Sequence, residues 1–145
     1  MPGRFEPLEE TQRSIQALNI RRVICLTPAE EIWRKSPDYA CLLEAKGYNW
    51  QQDLFPIKDF SVPEDREAYL ELARRLADAL SSGENLLIHC AGGVGRTGTL
   101  ATVVLLAGGM SELEAQQAVE MAGSGPENEK QKSLVAWCRQ KLHPA

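Results

Sequence analysis

His89-Cys90-Ala91-Gly92-Gly93-Val94-Gly95-Arg96-Thr97-Gly98 joins the short apolar run Leu86-Leu87-Ile88 to residues 97–107, which are apolar almost all round. A buried strand that passes through a glycine-rich turn into a buried helix is the repeating unit of a layered α/β fold, where ligands bind at the ends of strands. The turn is suited to an anion. Glycine has no Cβ to obstruct close approach, so successive backbone N–H groups can converge on one point. The helix adds its unpaired first-turn donors and the positive end of its dipole. Cys90 stands on the floor of this cradle, with Arg96 across the glycines from it.

Outward from this unit, Arg22-Val23-Ile24-Cys25-Leu26-Thr27 reads as a buried β-branched strand closed by Pro28, and residues 49–55 as a second, poorly patterned one. Helices are expected over residues 8–18, with Ile15 and Leu18 as the apolar positions, and over 29–33 and 39–46, the last stopped by Gly47. Another begins at Glu64, with Tyr69, Leu72, Leu76 and Leu80 on one face, and ends at Ser81-Ser82-Gly83. Ser111 and Glu114 have the form of a capping box that opens a helix burying Ala115, Ala118, Val119 and Ala122. A final helix over about 128–142 spaces Leu134, Val135, Cys138 and Leu142 for a core. Alternating strands and helices predict an α/β fold over residues 1–145 as a single domain. Its mainly parallel central sheet is expected to have about four to five strands, flanked by helices.

The composition is that of an ordinary globular chain of 145 residues, 43% hydrophobic and 25% charged, large enough to bury a core unaided. A net charge of -4 argues against nucleic acid or an anionic membrane as partner. No apolar stretch suits a signal sequence or a membrane span, so a cytoplasmic location is expected. Cys25, Cys41, Cys90 and Cys138 are scattered without zinc-type spacing, which predicts free thiols, no metal and no cofactor. A disulfide between Cys25 and Cys90 is a minor alternative.

A thiol flanked by loop amides, a helix N-terminus and an arginine has its pKa lowered, to about 3.5–7.5 in comparable settings, and ionises near neutrality. Arg96 offers a planar fork for two oxygens of a phosphoryl group. The Thr97 hydroxyl can hydrogen-bond the sulfur, and His89, next along the strand, points to the other side, where it can brace the loop. Covalent catalysis by sulfur also needs an acid for the leaving group and a base for water. Phe55-Pro56-Ile57-Lys58-Asp59-Phe60-Ser61-Val62-Pro63 supplies Asp59 on a proline-bounded loop. Asp53 in a strand and Asp65 in a first helical turn are the competing carboxylates.

The stretch from His89 to Gly98 resembles the signature loop of cysteine-dependent protein phosphatases. The spacing of Pro56, Asp59 and Pro63 is similar to the general-acid loop of their dual-specificity branch. Within that branch the chain most resembles the cyclin-dependent kinase-associated phosphatase group and its microbial relatives, strongly over the two loops and weakly from Val23 to the C-terminal helix. The resemblance implies Cys90 as nucleophile, Arg96 as phosphate clamp, Asp59 as acid and base, and Thr97 as helper hydroxyl, with Ala91, Gly92, Gly93, Val94 and Gly95 binding phosphate. It also implies a water-positioning glutamine where this chain has Pro126-Glu127-Asn128-Glu129-Lys130-Gln131, so that Gln131 is the candidate and the first glutamine of the pattern is absent.

The function implied is hydrolysis of phosphotyrosine, with phosphoserine and phosphothreonine beside it, through a phosphocysteine. The alternatives are a phosphatase of small phosphorylated metabolites and a phosphoprotein-binding module that does not turn over. The loop residues from Ala91 to Gly95 carry no lysine or histidine for further phosphates. No motif marks a wall for a phosphotyrosine ring, which leaves residues 27–48 for it.

Overall fold

Val23, Ile24 and Cys25 have no exposed surface, as befits a strand that is paired on both edges and covered on both faces. That strand, β1 (Ile20–Cys25), lies between β2 (Gln51–Leu54) and β3 (Asn85–His89), both parallel to it, in the computed structural model, which describes residues 1–144. The helices are α1 (Leu8–Ala17), α2 (Ala29–Lys35), α3 (Pro37–Ala45), α4 (Arg66–Ser81), α5 (Gly95–Ala107), α6 (Glu112–Met121) and α7 (Glu129–Leu142).

The sheet among the described residues has three strands, not the expected four to five. Every other segment is helix or loop, and the loop after β2 carries Pro56 and Pro63, which have no N–H to extend a ladder. The α/β architecture and the parallel sheet are as expected.

Alternation along β1 sorts its side chains to two cores. Ile24 and Leu26 join α4, α5, α6 and α7 on one face, whereas Cys25 joins Ile32 of α2 and Tyr39 and Ala40 of α3 on the other. Cys25 and Cys90 belong to opposite clusters, and all four cysteines are free thiols.

The central helix is α5, packed against α4, α6, α7 and β3. Its buried threonines are satisfied within the helix: Thr99 Oγ1 donates to Gly95 O at 2.6 Å and Thr102 Oγ1 to Gly98 O at 2.7 Å. Gly98 sits where a Cβ would run into the backbone of Gly125, so only glycine lets the 123–126 turn approach α5 this closely.

Some expected core positions face water instead. Leu18 follows α1 as its C-cap and is exposed, and Leu80, in the last turn of α4, is 41% exposed. The Ser111–Glu114 capping box is present, but α6 buries only Ala115 and Val119. Ala118 is exposed, because it lies about 100° around the helix from Val119, and so is Ala122, the C-cap. Among the described residues no helix is long and apolar enough to cross a membrane.

Candidate active site

The parallel pairing runs past the strand ends: Leu26 N donates to His89 O at 3.0 Å, Phe55 N to Cys25 O at 2.9 Å and Ile57 N to Leu26 O at 2.9 Å. These bonds draw the loops after β2 and β3 together at the C-terminal edge of the sheet. The pocket between them has a volume of about 220 Å³, and Cys90, Gly95, Arg96 and Asp59 are on its wall. Ala91, Gly92 and Val94 line it too.

Cys90 is 3% exposed. Its sulfur accepts from Thr97 Oγ1 at 3.0 Å and from Gly93 N at 3.2 Å. Gly93 reaches the sulfur with φ at +77°, a left-handed geometry that glycine adopts without strain. Burial pushes the thiol pKa up, but the hydroxyl and amide of Thr97, the Gly93 amide and the Arg96 charge together outweigh it, so the thiol lies below its ordinary value. The N-cap of α5, Val94, makes no side-chain cap, which leaves the first-turn N–H groups for an anion.

Arg96 is as buried as Cys90, and its fork is held from behind. Its two terminal nitrogens donate to the two carboxylate oxygens of Glu31 at 2.9 Å each, and one donates also to Ile57 O at 2.9 Å. Glu31 is itself bonded by Lys35 Nζ at 2.7 Å. The hydrogen bonds from Arg96, opposed by burial and aided by Lys35, pull the Glu31 carboxyl down to about 2. Glu31 has no motif to announce it: two acids in a first helical turn are explained by the dipole alone, and its partner is 65 residues away.

The three carboxylates separate cleanly. Asp59 Oδ1 lies 3.2 Å from Arg96 and Oδ2 3.8 Å from Lys35, on the pocket wall. Asp53 faces away along β2, paired with Arg22 at 3.4 Å, and Asp65 accepts the Ala68 N–H as N-cap of α4.

His89 turns to the opposite face of the sheet. Its Nδ1 is 3.3 Å from Cys90 O and its Nε2 is 2.7 Å from the Tyr39 hydroxyl. A carbonyl can only accept, so Nδ1 carries the proton and Tyr39 donates to Nε2. Burial lowers the pKa of the ring to about 4, which keeps it neutral.

Gln131 is buried but does not line the pocket. Its Oε1 accepts the Glu127 N–H at 2.7 Å, and Glu127 is the residue on the wall. Asn128 ties this region to the loop that carries Asp59, since its Oδ1 accepts from Gln131 N and its Nδ2 donates to Phe60 O at 2.8 Å. Phe60 and Arg4 also line the pocket, and of residues 27–48 only Lys35 does. Among the described residues no cluster of His, Cys, Asp or Glu is suited to a metal ion.

A family model described as PTP-SAK, the Swiss Army Knife protein DSP-PTPase phosphatase domain, matches residues 3–142. The chain belongs to this family. PTP-SAK membership accords with the solved structures it resembles. A kinase associated phosphatase whose catalytic site cysteine is replaced by serine superposes with a TM-score of 0.79 at 21% identity, over 100% of this chain and 85% of that one. Tk-PTP in its active form gives 0.72 at 26% identity, over 94% and 88%. The Arabidopsis thaliana protein-tyrosine-phosphatase PTP1 is 35% identical over 68 residues, 43% of this chain. The chain spans about a quarter or less of the length of the curated relatives it matches, 20% in that case.

Proposed function

We propose that this chain hydrolyses phosphotyrosine in proteins, and phosphoserine or phosphothreonine beside it, through a phosphocysteine. The observation that carries the reading is the Cys90 sulfur, bonded by Thr97 and Gly93 at the floor of a pocket whose wall holds Arg96 and Asp59.

In the first step the Cys90 thiolate attacks phosphorus, the bond to the tyrosyl oxygen breaks, and Asp59, as the acid, gives that oxygen its proton. In the second, water attacks the phosphocysteine, Asp59 takes the proton from the water, and the sulfur leaves as thiolate with Thr97 donating to it. Arg96 and the amides of the loop from Ala91 to Gly95 bind the equatorial oxygens throughout. His89 braces the loop as a neutral ring, and Gln131 acts on the site through Glu127. No step calls on a metal or a cofactor.

An aromatic substrate is favoured by Phe60, which is 64% exposed at the pocket wall beside Asp59 and offers an apolar face to a phosphotyrosine ring. The wall for the ring is thus read in the acid loop rather than in residues 27–48.

The test is rapid acid quench of the chain with a phosphotyrosyl peptide, followed by mass spectrometry. A phosphate adduct on the peptide containing Cys90, absent in Cys90→Ser along with all turnover, is the expected result. Undiminished hydrolysis by Cys90→Ser would end the reading, and higher catalytic efficiency on a panel of small phosphorylated metabolites would move the substrate to that class.

A further inference from the structure

Three cations line the pocket, and two of them are committed. Arg96 and Lys35 share the carboxylates of Glu31 and Asp59. The third, Arg4, makes no ion pair with a carboxylate among the described residues. Its guanidinium lies 4.5 Å from the centre of the Phe5 ring, exposed at the pocket wall alongside Cys90, Ala91 and Gly92.

Arg4 is not there by drift. The turn that carries it closes with Arg4 N donating to Met1 O at 3.2 Å. Ser36, 1% exposed, donates its hydroxyl to Pro2 O at 2.8 Å, and Pro2 is buried. Gly3 adopts φ +75° against the same hydroxyl, where a Cβ could not fit. A buried polar bond, a buried proline and a glycine without room for a side chain anchor the turn over the loop.

From this we infer that Arg4 is a specificity-determining residue that reads a carboxylate flanking the phosphorylated tyrosine, so that the substrate class is phosphotyrosine next to glutamate or aspartate. The inference rests on the proposed function. The residues from Ala91 to Gly95 supply no side-chain cation, so the charge that complements an acidic neighbour comes from outside the loop. An exposed pair of this kind acts equally on bound substrate and transition state, and it therefore appears in KM.

The test compares kcat and KM of the full chain on two phosphotyrosyl peptides that differ only in glutamate or glutamine beside the phosphotyrosine. Wild type is expected to favour the glutamate peptide by about fivefold, through KM, with the preference shrinking as salt is raised. Arg4→Gln should equalise the two peptides, and Arg4→Glu should reverse the order. A preference that survives in Arg4→Gln, or equal rates on both peptides in wild type, overturns the role of Arg4 and leaves the phosphotyrosine reading standing. No turnover of either peptide, with p-nitrophenyl phosphate still hydrolysed, overturns both.

Discussion

Glu31→Gln keeps the shape of the side chain that braces Arg96, removes its charge, and turns one of the two oxygens into an NH2 group that can only donate. The buried guanidinium would then meet a donor where it had an acceptor. In the native chain Arg96, against burial and with Lys35, holds the Glu31 carboxyl at about 2 rather than 4.5. That difference corresponds to about 3 kcal/mol in favour of the charged, folded arrangement. Breaking a buried pair from one side costs about 3–5 kcal/mol, which agrees.

The variant should therefore lose about 3 kcal/mol at pH 7, or about 6–12 °C in Tm for a chain of this size. Because the folded carboxyl titrates below its unfolded counterpart, the stabilisation is complete above about pH 4.5 and is lost as the pH falls toward 2. Urea unfolding followed by tryptophan fluorescence measures it: the gap between wild type and variant should narrow to about 1.5 kcal/mol at pH 3. Activity offers a second readout, since an arginine displaced by about 1 Å costs about 100-fold in rate. Equal midpoints at pH 7, or a gap that does not change with pH, would refute the reasoning.

Iodoacetamide at pH 6.5 should label Cys90 and the exposed Cys41, and spare Cys25 and Cys138, which are fully buried with thiols pushed up to about 11. Thr97→Val, which removes one hydrogen bond to the sulfur, should slow labelling of Cys90 by about tenfold, as read by peptide mass spectrometry. Gly98→Ala drives a Cβ into the Gly125 backbone, which has no rotamer with which to yield. It should destabilise the fold by about 1–3 kcal/mol, and an unchanged melting temperature would contradict that account.

Most of the fold is legible where local chemistry decides it. The run from Val23 to Leu26 is too apolar and β-branched for an edge, and Ser111 with Glu114 opens a helix that forms where expected. The loop at Cys90 is visible because its ten residues are contiguous. What the chain brings together from far apart is not. Glu31, Tyr39 and Arg4 reach the site from segments without a motif, and nothing in their spacing marks them, since the fold alone sets the distance to their partners. Among the carboxylates, Asp59 is singled out in the sequence by its proline-bounded loop and Asp65 by its place at a helix start, whereas the pairing of Asp53 with Arg22, 31 residues away, has no local signal. Exposure failed where periodicity was carried past the contact, as at Leu80 and Ala118.

Arg96 belongs to α5 on one side of the sheet and Glu31 to α2 on the other, so their ion pair is a strap across the end of the sheet. A chain lacking the arginine loses the proposed phosphate clamp and the fastening between two layers in one stroke. Inactivity of such a variant is therefore ambiguous evidence about chemistry. A test of the chemistry that leaves this strap in place is replacement of the sulfur, whose bonds from Thr97 Oγ1 and Gly93 N stay within its own loop and the helix that follows and join no two layers.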